Sequence, residues 1–139
     1  MTTVLIVDPN EETRLALEAQ LADSNQFERV LSCADLHAAN RFLTDKRITV
    51  ILLDAQQAAQ SVLLHQIKQA NPELGVVLMR GAGGVLDTAT LLSLGGHAQA
   101  SRLAAPMEII ASVAKALVVR LRPSSRILGK FIKDGNSKF

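Results

Sequence analysis

The chain has 139 residues, of which 48% are hydrophobic and 20% charged, and this allows one domain with a buried core. Aromatic residues make up 3%, without Trp or Tyr, which excludes a stacking surface for single-stranded nucleic acid, and one cysteine excludes an intrachain disulfide framework. The net charge is +2, the first residues do not form a signal peptide and no apolar run reaches the roughly 18 residues that span a bilayer, so we expect a cytoplasmic protein without membrane insertion.

The first half of the chain alternates short apolar runs with amphipathic segments. Two of the runs end at Asp8 and at Asp54, and such runs predict strands that are buried on both faces. Between them, apolar side chains recur at helical spacing after Asn10. The predicted elements are a strand over 4–7, a helix from 10 to 21, a strand over 27–31, a helix over 35–44 and a strand over 48–53.

The second half repeats this alternation. Its predicted elements are a helix over 58–70, a strand over 75–79, a helix over 86–94, a weaker strand over 98–103 and a helix from 106 to 121. Short strands that alternate with helices form a parallel sheet with right-handed crossovers, covered by helices on both faces. The sequence therefore predicts a doubly wound α/β domain over residues 1–121.

Residues 122–139 are predicted to be a short basic extension. Residues 120–139 carry six basic residues against one acidic, a net of +5, whereas residues 1–119 have a net of −3. Ile127, Leu128, Phe131 and Ile132 would share one face of a short amphipathic helix. Such a tail can fold back on the body, dock on a partner, pair two protomers or lead into an effector domain outside this sequence. Nucleic-acid binding is expected only through such a domain.

Two aspartates follow the clearest strands. Ligands of an open α/β sheet bind beyond the carboxyl ends of its strands, where Asp8 and Asp54 would converge if their strands are neighbours. Paired carboxylates suit Mg²⁺, and a carboxylate can also be a nucleophile towards a phosphoryl group. The alternative is that each Asp only ends a strand or caps a helix.

The segments VLIVDPNEETRLALEAQL, ITVILLDA and GVVLMRGAGG, followed by a strand that ends at Ala105-Pro106, resemble the receiver domain of bacterial response regulators. The resemblance covers residues 3 to about 119. It implies a flavodoxin-like (βα)5 fold with a parallel five-stranded sheet. It also implies that Asp54 accepts a phosphoryl group from a histidine kinase and that Asp8 holds Mg²⁺.

The chain departs from the receiver pattern at the positions that handle the phosphoryl group. The departures are Pro9 in place of the second metal-binding acid, Arg80 in place of a Ser or Thr, and Ala105 in place of a Lys. Pro106 retains the family's proline and is a candidate for a cis peptide bond. The aromatic switch position of the family falls near Ser101 or Arg102.

These departures predict a weakened pocket. An acyl phosphate on Asp54 would be poorly stabilised without the acid and the Lys. Mg²⁺ binding is expected to be weak or absent unless Glu11 or Glu12 replaces the acid. Arg80 either binds phosphate oxygens or pairs with Asp54 or Asp8 and locks the site, and we favour the lock.

We therefore expect a pseudo-receiver, an atypical signalling module of a two-component or phosphorelay system that acts by protein–protein contact. Its partner would be a histidine kinase or a downstream effector. The contact would use the face made by the fourth predicted helix, the fifth strand and the fifth helix, and a homodimer would use that face as well. That face comprises Leu91, Leu92, Met107 and Ala111. The alternative is the regulatory domain of a DNA-binding transcriptional regulator that is still phosphorylated at Asp54.

An enzyme on the same fold is the third possibility, and the residues do not favour it. The glycine-rich loop at 81–84 lacks the Lys-Ser/Thr pair of a phosphate-binding loop. The three histidines and Cys33 show neither metal-ligand spacing nor a Ser-His-Asp or Cys-His arrangement. We expect no enzymatic activity and assign no catalytic residue.

Overall fold

The structure is a computed structural model, and it describes residues 2–45, 47–60, 62–81 and 84–120. The predicted basic extension over 122–139 lies outside the described residues, so both its helix and the boundary at 121 stay predictions. None of the helices in the described ranges combines the length and the apolar character needed to cross a membrane.

The described part of the chain forms five strands and six helices, and each strand is followed by one helix, except that two helices follow the third strand. The strands are β1 Thr3–Val7, β2 Arg29–Cys33, β3 Val50–Asp54, β4 Gly75–Arg80 and β5 Ala98–Ser101. The helices are α1 Glu11–Asp23, α2 Leu36–Asp45, α3 Ala55–Gln60, α4 Leu63–Ala70, α5 Thr88–Ser93 and α6 Pro106–Val119. The strand order is β2-β1-β3-β4-β5 and every pairing is parallel, which confirms the predicted flavodoxin-like doubly wound sheet.

The sheet separates two hydrophobic layers, because successive side chains of a strand point to opposite faces. Leu5, Ile51 and Leu78 face α2, α3, α4 and α5. Val4 and Leu52 face α1 and α6. The residues of β1 and β3 are buried throughout, as expected for central strands of a parallel sheet.

The segment between β3 and β4 differs from the prediction of one helix over 58–70. It contains α3, which starts directly after Asp54, and then α4. The backbone N–H groups of Gln56 and Gln57, in the first turn of the new helix, favour the charged form of the Asp54 carboxylate. The aspartate therefore ends a strand and starts a helix at the same point.

Candidate functional site

Asp8 and Asp54 lie at the carboxyl edge of the sheet, which we define as the edge where the strands end. β1 and β3 are neighbours in register, with Val7 opposite Leu53, so the two aspartates that follow are adjacent. Asp8 is 2% exposed and Asp54 is 6% exposed. The predicted convergence of the two carboxylates is therefore confirmed, and both are buried.

Arg102 forms an ion pair with Asp8. Its Nη2 lies 2.8 Å from Asp8 Oδ1, and the same oxygen accepts a hydrogen bond of 2.8 Å from the backbone N–H of Asn10. Arg14 of α1 donates from Nη1 to the Asp8 carbonyl at 2.9 Å. The pair joins positions 94 residues apart in the chain and connects the end of β5 to the end of β1.

Asp54 is the second carboxylate of this pocket, and its pKa is raised above the ordinary value. Burial is the largest cause, because desolvation penalises the charged form, and the charge of Asp8 acts in the same direction. The Arg102 guanidinium and the N–H groups of Gln57 and Gln56 oppose this rise. Arg102 therefore acts on both carboxylates. Among the described contacts it forms an ion pair with Asp8, and its charge opposes the rise in the pKa of Asp54.

The predicted lock between Arg80 and an aspartate is wrong. The ion pair that the described residues form at this edge involves Arg102, and Arg80 is not among the charges that shift the pKa of Asp54. Alternation along β4 explains the difference. Met79 packs in the layer with α1 and α6, so the next residue, Arg80, is directed to the opposite face of the sheet. Its Nε is buried, and no hydrogen-bond partner for it is found among the described residues.

Arg102 was missed as a site residue, although the sequence carried a usable indication. Ala98 and Ala100 of β5 both pack in the layer with α1 and α6. A period of two places Arg102 on that same side, where the two aspartates lie. The family resemblance assigns an aromatic side chain near this position, and that assignment does not pair the charge of Arg102 with either carboxylate.

Comparison with known proteins agrees with this architecture, although no protein-family model and no curated protein sequence matches the chain. NtrX from Brucella abortus, solved in complex with ADP, has a TM-score of 0.72 and 22% identity, covering 98% of this chain and 30% of that chain. A response regulator receiver domain protein from Clostridium thermocellum has a TM-score of 0.69 and 16% identity, covering 85% and 95%. A LuxR family DNA-binding response regulator from Silicibacter pomeroyi has a TM-score of 0.64 and 25% identity, covering 85% and 92%. The chain has the CheY-like receiver fold of response regulators.

The site around Asp8 and Asp54, which corresponds to the phosphoryl pocket of a receiver, does not fit a Mg²⁺ ion. Among the described residues, no three His, Cys, Asp or Glu side chains come together as a possible metal site. Pro9 offers no side-chain oxygen, and Glu11 and Glu12 are exposed in the first turn of α1. Asp8 Oδ1 already accepts two hydrogen bonds, one of them from the Arg102 guanidinium. A cation of the protein therefore neutralises the carboxylate that would bind the metal in a receiver.

The end of the receiver pocket at α6 retains the proline without the Lys. Ala105 precedes the helix with extended backbone angles, φ −63° and ψ 150°, and Pro106 is its first residue. Proline is favoured there because its missing N–H would have no partner in the helix. No peptide bond of the described residues is cis, so the predicted cis bond before Pro106 is wrong.

The predicted contact face is only partly on the surface of the receiver fold. Leu91 is buried in the core with Leu78, so its inclusion in the face is wrong. Leu92 is exposed, Met107 is 76% exposed and Ala111 is also exposed. The periodicity of the short helix α5 turns one leucine inward and the next one outward, and a pair of adjacent leucines in a sequence does not show which is which.

Proposed function

We propose that this chain is a receiver-like signalling module of a two-component or phosphorelay-type system, that it acts by protein–protein contact in the cytoplasm, and that phosphorylation of Asp54 is impaired or absent. Its partners would be a histidine kinase or a downstream effector. The observation that carries the proposal is the 2.8 Å ion pair between Arg102 and the buried Asp8. It supports a site in which a cation of the protein, in place of a metal ion, pairs with Asp8.

The proposed impairment of Asp54 phosphorylation follows from the chemistry of phosphoryl transfer. Proteins catalyse this transfer mainly by positioning and by stabilising negative charge with metals and cations. Pro9 and Ala105 remove an acid and a cation from the pocket, and Arg102 is held by Asp8. A phosphoryl group on Asp54 would thus lack the metal ion and the Lys that stabilise its charge in a receiver.

The test is a backbone NMR titration of the full chain with Mg²⁺ and then with beryllofluoride, a mimic of the acyl phosphate. We expect no shift at Asp8, Asp54 or Arg102, and none that spreads to α5 and β5. Incubation with Mg²⁺ and acetyl phosphate should leave the mass unchanged. The Asp54→Asn variant is the control, because any change that it shares with the wild type does not depend on the acceptor carboxylate.

A second candidate is supported by the likeness to the Silicibacter pomeroyi response regulator, which is described as DNA-binding. In this case the chain would be the regulatory domain of a transcriptional regulator and would be phosphorylated at Asp54. A stable gain of one phosphoryl group in the wild type, absent from Asp54→Asn, would establish this candidate and refute impaired phosphorylation.

A further inference from the structure

A cavity with a volume of about 740 Å³ lies between α4 and the end of α5. Leu64 of α4 lines one side, Leu92 and Leu94 line the other, and Ala59 of α3 also contributes to the lining. Pockets for small ligands are concave, largely apolar and roughly 300–1,000 Å³ in volume. This α4–α5 cavity therefore has the size and the apolar walls of a pocket for a small ligand.

Lys68 places a positive charge in the lining of the α4–α5 cavity, where its side chain is partly buried. Its Nζ donates to the Gly95 carbonyl at 2.9 Å, and it forms no ion pair with any described residue. Burial lowers the pKa of Lys68, because the ammonium loses contact with water. An ammonium has three N–H donors, so two of them are left for a ligand or for water.

Gly95 keeps the space around this ammonium open. Its φ of +90° lies in the left-handed region that favours glycine, and its N–H donates to the Leu92 carbonyl at 3.0 Å as α5 ends. A Cβ at this position would lie 3.2 Å from Leu64 Cδ2 and 3.6 Å from Lys68 Nζ. Because glycine has no side chain, its carbonyl can contact the ammonium without filling the cavity beside it.

The other polar residues of the lining do not neutralise Lys68. His65 and Gln69 are exposed on the same helix, Ser93 lies at the end of α5, and no acid is found among the described lining residues. A ligand that complements this lining has one negative group near the ammonium and an apolar body against the leucines. A carboxylate suits a single ammonium, whereas the geometry of a phosphate group favours arginine, which the lining does not offer.

The basic end of this chain does not match the charge of the cavity. Residues 121–139 carry five basic residues and one acid, so Lys68 would repel them. A protein partner would need an interface of roughly 800 Å² on each side, whereas a concave cavity of this size encloses a small molecule. Charge and shape thus both favour a small anionic ligand.

We infer that the α4–α5 cavity binds a small carboxylate with an apolar chain, held with its carboxylate at Lys68 and its chain between Leu64 and Leu92. The inference goes beyond the proposed function, because neither aspartate of the carboxyl edge lines this cavity. Helix α3 begins directly after Asp54 and contributes Ala59 to the lining. A bound carboxylate therefore contacts the segment that follows the acceptor aspartate, without any phosphoryl transfer.

The first test is a backbone NMR titration of the full chain with octanoate, in the absence of Mg²⁺ and of any phosphoryl donor. We expect saturable shifts centred on Leu64, Lys68 and residues 92–95. The matched ligand is 1-octanol, which has the same chain without a charge. It should bind at least about tenfold more weakly, because it forms no charge-assisted hydrogen bond with the ammonium.

The second test removes the charge and keeps the apolar stem, in the variant Lys68→Met. Binding of octanoate should weaken by about tenfold or more, whereas binding of 1-octanol should change by less than about twofold. Lys115→Met is the control, since Lys115 is an exposed lysine of α6 that does not line the cavity. Thermal unfolding should show Lys68→Met to be at least as stable as the wild type, because a partly buried charge without a counter-charge is removed.

The third test fills the cavity with the variant Ala59→Phe. Ala59 is exposed on α3, so the larger side chain does not enter the core. Binding of octanoate and of 1-octanol should both be lost, while the spectrum of residues outside the cavity is retained.

The inference would be overturned by the absence of saturable shifts with octanoate, or by shifts centred elsewhere in the chain. Equal affinity for octanoate and 1-octanol, or an unchanged affinity of Lys68→Met for octanoate, would overturn it as well. None of these results bears on phosphorylation, which the titration with beryllofluoride decides separately. The two proposals can therefore fail independently.

Discussion

The two edges of the sheet hold their charged side chains in different ways. At the carboxyl edge, Arg102 meets the counter-charge of Asp8 at 2.8 Å. At the amino edge, where the strands begin, cations end on backbone carbonyls. Lys68 Nζ donates to the Gly95 carbonyl at 2.9 Å, and Arg120 Nη1 donates to the carbonyls of Thr49 and Glu73.

His97 completes the arrangement at the amino edge. Its Nδ1 accepts the Val76 backbone N–H at 3.0 Å, which requires an unprotonated nitrogen. Burial, which is the largest cause, and the charges of Lys68 and Arg120 together lower the pKa of His97 to about 4.

The difference between the two edges shows where a change of one charge affects residues on several strands. At the amino edge, each of these cations is held by backbone carbonyls and the histidine is neutral. A change of one side chain there leaves the charge of the others in place. At the carboxyl edge, one guanidinium pairs with Asp8 and also acts by its charge on Asp54, a carboxylate from a different strand. Changing one charge there alters the environment of the others, as expected of the edge that carries the candidate site.

The largest effect is expected from removing the cation of the carboxyl edge. Arg102→Ala leaves Asp8 buried and charged without its partner, and should lower the free energy of unfolding by about 2–3 kcal/mol, somewhat less than for a fully buried pair because Arg102 is partly exposed. Urea unfolding at pH 7 measures this loss.

The matched control is Arg80→Ala in the neighbouring strand. Arg80 is an arginine at the same edge that forms no ion pair with any of the described residues, so the same truncation should cost less than about 1 kcal/mol. Equal losses for the two variants would mean that the Asp8 contact contributes nothing beyond packing.

An intermediate effect on the free energy of unfolding is expected when the pH is lowered, because His97 lies at the amino edge. The folded-state pKa of His97 lies below that of the unfolded chain, near 4 against 6.5. The unfolded state therefore binds the extra proton first, and stability falls as the pH decreases from about 6.5 to 4. The expected loss is about 1–2 kcal/mol once partial exposure and solvent screening are allowed for.

His97→Asn is the variant that isolates this titration. The asparagine side chain offers an oxygen acceptor near the Nδ1 position for the Val76 N–H but binds no proton in this range. Unfolding free energies measured from pH 7 to pH 4 should show a shallower decline for the variant. Identical slopes would assign the acid sensitivity to other groups.

The smallest effect is expected from the acceptor carboxylate itself. Because the folded state raises the pKa of Asp54, its charged form destabilises the fold at pH 7, and Asp54→Asn should add about 0.5–1 kcal/mol of stability. The gain should disappear as the pH falls through the raised pKa, because the wild-type carboxyl is then neutral in the folded state. Thermal unfolding at pH 7 and pH 4 measures both, and a loss of stability at pH 7 would show that Arg102 outweighs burial.

The arrangement of the sheet could be predicted because each strand is marked in the sequence by its own short run of apolar residues. Apolar runs before Asp8 and Asp54 identify central strands, and their neighbouring positions in the sheet are confirmed. The same local patterns placed Arg80 at the correct edge. They did not place it on the correct face, since that depends on which residue of β4 lies opposite Asp54, and Met79 is the one that does.

The doubly wound parallel sheet and the meeting of two aspartates were thus determined by the sequence itself, through the periodicity of apolar residues and the topology that short strand–helix units impose, and the resemblance of its segments implied the receiver fold. Only the tertiary structure decided which cation reaches those aspartates. The partners Asp8 and Arg102 are 94 residues apart, and their contact depends on strand order, register and the face to which each side chain turns. A shift of one residue in any strand would exchange its two faces, so this contact exists only when all the strands are assembled.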